Sequence, residues 1–78
     1  MQDAHSVLDR YYLEMRWRCL SLAADFDRVE RSRGGAAVLD ADPRVKKLRD
    51  ALALLAKPGA NRAELVQTIF SDKTPPPQ

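Results

Sequence analysis

The chain contains one thiol and one imidazole, Cys19 and His5, the side chains best suited to nucleophilic or metal chemistry. On one helix their separation corresponds to roughly 21 Å, too far for a nucleophile–base pair within one chain. Asp3 and Asp9 are the carboxylates nearest His5, but a mobile terminal histidine is the favoured interpretation of this weak ligand set. We predict that Cys19 is a buried small apolar residue.

Other catalytic and cofactor motifs are missing from the sequence. The carboxylates form no Glu-x-x-His pair of the di-iron bundle type. The "RGG" segment at residues 33–35 has no preceding strand pattern and no Gly-Lys-Ser/Thr sequence for a phosphate loop. We therefore predict a protein that is not an enzyme, with no catalytic residue, no metal and no cofactor.

Arginines and lysines suggest a nucleic-acid surface, but acidic residues are interleaved with them. Thirteen basic and eleven acidic side chains leave a formal net charge of +2, which neither requires nor excludes an anionic partner. Several opposite charges are spaced three or four residues apart, as on a solvated helix surface: Glu14–Arg18, Asp25–Arg28, Asp27–Arg31 and Lys47–Asp50.

A nucleic-acid-binding regulator is the alternative function. It would use the arginines of the first helix, or Arg44, Lys46 and Lys47 on the second, or a helix-turn-helix formed across Pro58-Gly59. The start of the third helix offers few contacts for a recognition helix, and Glu64 would repel phosphate. We therefore consider nucleic-acid binding less favoured but not excluded.

The size of the chain limits its stability. Its 78 residues form one small core at most, and a chain of this length usually needs a disulfide, a metal or oligomerisation for additional stability. A single cysteine provides no internal disulfide and favours a reducing, cytoplasmic location. The N-terminal residues lack a signal-peptide pattern, and no apolar stretch is long enough to span a membrane.

Helix-start and helix-stop signals predict three helices. The first covers about residues 6–33, with Ser6 and Asp9 resembling a capping box and Gly34-Gly35 ending it. The second covers 43–57, after the Asp42 N-cap and Pro43 at the first helical position. The third covers 62–71, with Asn61 as N-cap and Glu64 completing a capping box. Residues 1–71 are predicted to be one all-α domain, and 72–78 a flexible Pro-rich tail.

The first helix carries a regular apolar seam that is typical of a coiled coil. Its residues repeat at spacings of four and three: Leu8, Tyr12, Met15, Cys19, Leu22, Phe26 and Val29. The later helices continue the predicted core seam with Val45, Leu48, Leu52, Leu55, Val66 and Phe70. From the helix lengths, we expect a helical hairpin: the long helix packs against two shorter helices that form a broken return arm. The Ala36–Leu39 connector is expected to fold over the end of the bundle.

A second apolar row, here called the outer stripe, lies on the opposite side of the first helix and comprises Leu13, Trp17, Leu20 and Ala24. The solvent-exposed face of a helix is normally polar, so we expect another surface to pack against this apolar face and bury it. We predict a homodimer that buries the outer stripe and closes a helical bundle, with Arg16 and Arg18 at the rim. Cover by the connector or tail, or by a different protein, is the alternative.

The predicted function is a protein–protein interaction module, an accessory or adaptor subunit that acts as a homodimer. A metal- or ligand-binding bundle is a further alternative, which would need a cavity between the seams. The sequence identifies neither the biological partner nor the orientation of the dimer.

Overall fold

The computed structural model describes residues 3–71, which form four α-helices. These are α1 (Ala4–Arg31), α2 (Gly35–Ala41), α3 (Pro43–Leu55) and α4 (Arg62–Phe70), and the described residues contain no β-strand. The predicted all-α class is confirmed. Contacts divide the chain into two units, Met1–Val38 and Leu39–Gln78. The hairpin and the single domain therefore stay predictions, and the predicted tail at 72–78 lies outside the described residues.

Helix α1 begins at Ala4, two residues before the predicted start, because Asp3 rather than Ser6 is its N-cap. The Asp3 carboxylate accepts a hydrogen bond from the Ser6 backbone N–H at 2.9 Å. This hydrogen bond lowers the pKa of Asp3 below its usual value. At the other end, the Ser32 hydroxyl donates to the Arg28 carbonyl at 2.7 Å, and the helix ends at Arg31 instead of Arg33.

The segment predicted as a connector is the short helix α2, so the prediction of three helices was wrong by one. Gly34 adopts a positive φ of +75°, as expected of a glycine that follows the end of a helix. Gly35 then opens α2 and is buried. A Cβ at Gly35 would lie 2.1 Å from the Val29 carbonyl oxygen, so only glycine fits this close approach. The following alanines and Leu39 are good helix formers, which allows a new helix to start immediately.

Helix α3 has the predicted N-cap. The Asp42 carboxylate accepts from the Arg44 backbone N–H at 2.8 Å, and Pro43 occupies the first helical turn, where its missing N–H costs nothing. The Arg44 guanidinium also pairs with Asp42, at 2.9 Å. This side-chain hydrogen bond and the backbone one lower the pKa of Asp42 to about 2, and the same ion pair raises the pKa of Arg44.

Helix α4 follows a turn containing Pro58 and packs against α3 in the second unit. Asn61 stands at the N-cap, but its side chain makes no capping hydrogen bond, so the predicted capping box is absent. The turn is instead held by Arg62. Its Nε donates to the Lys57 carbonyl at 3.0 Å, and its two Nη groups donate to the Lys57 and Gly59 carbonyls. Carbonyls left unpaired after α3 thereby gain a charged donor.

The buried hydrophobic core is small. Among the described residues it consists of Val45 and Ala51, which are 8% and 6% exposed and both lie on α3. Two further seam residues of this unit, Leu48 and Val66, are half-buried. Leu52, Leu55 and Phe70 remain exposed. The predicted seam of the second unit is therefore covered only in part within that unit.

Candidate interaction surface

The outer stripe is largely open to solvent. Leu13 is 71% exposed, Trp17 69% and Leu20 57%, while Ala24 is half-buried. Successive positions of this stripe lie four, three and four residues apart, so they fall on one face of α1. The large exposure of Trp17 gives no support to cover by residues 36–38 of the predicted connector, which belong to the same unit. The other alternative within the chain, cover by the tail at 72–78, lies outside the described residues.

The seam on the other side of α1 is also exposed over its N-terminal half. Leu8, Tyr12 and Met15 are about half exposed, and Tyr12 reaches 54%. Towards the C-terminal end Leu22 and Phe26 are half-buried, and Val29 is exposed. No residue of the 28-residue helix α1 is buried. Within its own unit, α1 therefore leaves both apolar faces accessible.

Two further apolar residues widen the seam: Tyr11, which the sequence places beside it, and Val7, which the sequence interpretation missed. Val7 is 39% exposed and Tyr11 45% exposed, and they lie four residues apart beside Leu8 and Tyr12. Their spacing is the signal that identifies them, because residues four apart are neighbours on a helix surface. The Arg10 guanidinium carbon lies 5.7 Å from the centroid of the Tyr11 ring, a cation–π contact that covers part of that ring.

Charged side chains flank these apolar faces. The predicted pairs Glu14–Arg18, at 3.2 Å, and Asp25–Arg28 both form. The predicted Asp27–Arg31 pair is not among the ion pairs of residues 3–71, and Asp50 pairs with Lys46 at 2.9 Å instead of Lys47. All of these pairs are solvent-exposed, so each contributes little stability. Arg16 and Arg18, on the two sides of Trp17, are exposed, and their role at the rim of a contact stays a prediction.

The residues considered for chemistry are not brought together. Cys19 is a free, exposed cysteine, so the predicted burial of its thiol is absent in the single chain. His5 is exposed as well. Residues 3–71 contain no group of three or more His, Cys, Asp or Glu side chains arranged to hold a metal ion.

An open cavity of about 300 Å³ lies where the end of α2 meets α3 in the second unit. Its charged lining residues are Asp40, Asp42, Lys46 and Arg49, but Asp42 and Lys46 already have ion-pair partners. Within the described part of the chain, no buried side-chain nitrogen or oxygen lacks a hydrogen-bond partner. This cavity offers no buried polar group to orient a ligand.

Several basic residues considered for nucleic-acid binding make contacts within the chain, although Lys47 is not among the ion-paired residues of the described part. Arg62 opens α4, where a recognition helix would contact DNA, and its guanidinium is bonded to the carbonyls of the preceding turn. Arg44 pairs with Asp42 and Lys46 with Asp50. Binding of these residues to phosphate would compete with the contacts that they make within the chain.

None of the helices among residues 3–71 combines the length and apolar character of a membrane span. Comparison with known proteins finds no matching family model, no similar curated protein and no similar solved structure.

Proposed function

We propose that this protein is a small interaction module that forms a homodimer through the outer stripe of α1, acting as an accessory or adaptor subunit without enzymatic activity. The observation that carries the proposal is the exposure of Leu13, Trp17 and Leu20 on one face of a helix that has no buried residue. Contiguous apolar surface of this kind is typical of protein–protein contact sites.

The composition of the stripe supports a specific contact. Trp17 is the only tryptophan of the chain, and tryptophan and arginine are enriched where binding energy concentrates. The stems of Arg16 and Arg18 can cover the edge of the contact while their charged ends stay in water. Burial of one tryptophan and two leucines from each copy would contribute on the order of 5–10 kcal/mol before the costs of association.

The small core gives an independent reason for association. Val45 and Ala51 are the buried hydrophobic side chains of residues 3–71, which is little apolar burial for a folded chain of this size. A second copy would add buried apolar surface, and oligomerisation is a common source of stability for chains below about 70–80 residues. The cytoplasmic location stays part of this proposal, resting on the single cysteine.

Light scattering over a range of concentrations tests the dimer. We expect the mass to approach twice that of one chain, and Trp17→Glu to reduce it to that of the monomer because a charge would be buried at the contact. Tyr12→Glu is the matched control, since Tyr12 is exposed on the opposite face. A mass unaffected by Trp17→Glu but halved by Tyr12→Glu would assign the contact to the seam and overturn the proposal.

The nucleic-acid alternative has a separate test. Binding to duplex DNA would be measured at low and at physiological salt, because phosphate contacts produce a steep decrease of affinity with salt. We expect no such binding. Salt-dependent binding that is lost when Arg44, Lys46 and Lys47 are replaced by alanine would favour the regulator instead.

A further inference from the structure

The spacing of the outer stripe continues past its apolar residues into charged ones. Three residues before Leu13 lies Arg10, and three residues after Ala24 lies Asp27. All six positions follow the alternation of three and four that places residues along one coiled-coil face. The face therefore has an apolar centre with a basic end towards the N-terminus and an acidic end towards the C-terminus.

We propose that the two copies pack with their α1 helices antiparallel, in the register that places Trp17 opposite Leu20 of the second copy. This inference rests on the proposed function, because it specifies the orientation of the dimer proposed there. In the same register Leu13 lies opposite Ala24 of the second copy. Each large side chain then faces a smaller one, which fills the contact without crowding.

Charge complementarity selects this orientation. The antiparallel register places Arg10 opposite Asp27 of the second copy, and the twofold axis repeats the pair at the other end of the contact. A parallel dimer would instead align Arg10 with Arg10 and Asp27 with Asp27. One flanking pair, Asp9 with Glu30, brings like charges near each other in the antiparallel register, but it lies at the edge in water, where such repulsion is weak.

The ion pairs within the chain leave these two residues available. Among residues 3–71, the ion pairs of α1 are Glu14–Arg18 and Asp25–Arg28, and neither includes Arg10 or Asp27. The contact of Arg10 with the face of the Tyr11 ring is a cation–π contact and uses no carboxylate. A pair between copies therefore replaces no ion pair of the single chain.

Disulfide crosslinking tests the register in a Cys19→Ser background, with light scattering run in parallel. Leu13→Cys and Ala24→Cys chains, mixed and oxidised, are expected to crosslink to each other, because these positions share a layer. Neither variant should crosslink alone. In the antiparallel register each position lies roughly 16 Å along the axis from its own copy, beyond the Cα separation of about 7 Å that a disulfide permits.

The outcomes separate the two proposals. A dimer in which Ala24→Cys crosslinks readily with itself is parallel, and would overturn the antiparallel register while leaving the proposed function intact. A chain that stays monomeric at all concentrations would overturn the proposed function itself. A dimer in which no combination crosslinks contradicts the proposed register, and the Trp17→Glu and Tyr12→Glu variants then decide whether the outer stripe is the contact.

Exchanging the charges of Arg10 and Asp27 provides a second test, which measures the dissociation constant of the dimer and leaves the apolar residues of the contact unchanged. Arg10→Asp alone, or Asp27→Arg alone, is expected to weaken the dimer about 3- to 10-fold, because two opposite-charge contacts become like-charge contacts. The double variant should restore the dissociation constant of the original protein. Arg49→Asp on α3 is the control for net charge, and circular dichroism checks that α1 stays helical. Failure of the double variant to recover affinity would count against the register.

Discussion

Trp17 lies one helical turn beyond Leu13 on the same face of α1, and each side chain exposes more than two thirds of its surface. Residues four apart on a helix are in lateral contact, so the two side chains form one continuous apolar patch. Water around such a patch is released when a partner covers it, which provides the driving force for association. This surface, and the contacts that shape the helices, can each be tested by substitution.

The first prediction uses Trp17 as its own reporter, since the chain has no other tryptophan. Its fluorescence emission should move to shorter wavelength, and its quenching by acrylamide should decrease, as protein concentration rises through the dissociation constant. The physical reason is transfer of the indole from water into the contact. Leu13→Glu should keep the emission of a solvated indole at all concentrations, whereas Tyr12→Glu should preserve the shift. An emission that is independent of concentration up to the solubility limit would contradict burial by a second copy.

The second prediction concerns the close approach at the start of α2. Gly35→Ala is expected to lower the free energy of unfolding by about 1–3 kcal/mol, because the added Cβ meets backbone that cannot rotate away. The clash is with the carbonyls of Val29 and Glu30, the nearest atom at 2.1 Å. Chemical denaturation at a fixed protein concentration measures this decrease in the free energy of unfolding.

Gly34→Asn is the matched control for this junction. Gly34 has a positive φ, a Cβ at this position would meet nothing within 4 Å, and asparagine tolerates the left-handed conformation. The stability of this variant should therefore change little. If both variants lost the same free energy of unfolding, the contact of a Cβ with the Val29 carbonyl would not explain the requirement for glycine at position 35, and backbone conformation would explain it instead.

The third prediction concerns Arg62. Arg62→Ala should destabilise the pairing of α3 with α4 by about 1–3 kcal/mol, since the Lys57 and Gly59 carbonyls would lose their charged donor. Hydrogen exchange of the α4 amides gives a local measurement of this loss. Arg49→Ala, an exposed arginine on α3 without these carbonyl contacts, should leave the exchange unchanged. Equal exchange rates in Arg62→Ala and the original protein would show that the turn does not need the guanidinium.

The fourth prediction concerns the acid stability of the α3 N-cap. The pKa of Asp42 is lowered from 3.8 to about 2, so its carboxylate stabilises the folded state fully above about pH 4. That contribution is lost as the pH falls from about 4 towards 2, where the folded protein also binds the proton. Asp42→Asn should remove this part of the pH dependence while retaining a side-chain acceptor for the cap. Thermal unfolding at several pH values measures this pH dependence of stability, and Asp40→Asn is the control for removal of one carboxylate. Identical pH profiles of stability for the two variants would contradict the assignment of this acid-dependent stability to Asp42.

The features that the sequence predicts correctly are local ones. The α3 cap at Asp42, the end of α1 near Gly34 and the pairing of Glu14 with Arg18 all involve residues within four positions of each other. Such contacts form whenever the helix forms, so spacing alone predicts them. Asp3 was overlooked as a cap although it is an acceptable one, because Ser6 offered a competing signal three residues later.

Helix α2 was missed because two successive glycines indicate a stop and carry no information on the conformation of the residues after them. The restart at Gly35 depends on a backbone approach to Val29 that no side-chain pattern records. The role of Arg62 was missed for a similar reason. Its carbonyl partners become available only when the turn brings Lys57 and Gly59 towards the start of α4.

The sequence by itself determined that this chain is helical and that its longest helix has an apolar row on each of two sides, because helix periodicity and capping depend on neighbouring residues. Only the tertiary structure decided which apolar residues become buried. It covers Val45 and Ala51 and leaves Leu13 and Trp17 in water. The physical reason is that a side chain becomes buried only when residues distant in the sequence pack against it. The spacing of apolar residues along one helix does not determine which distant residues pack there.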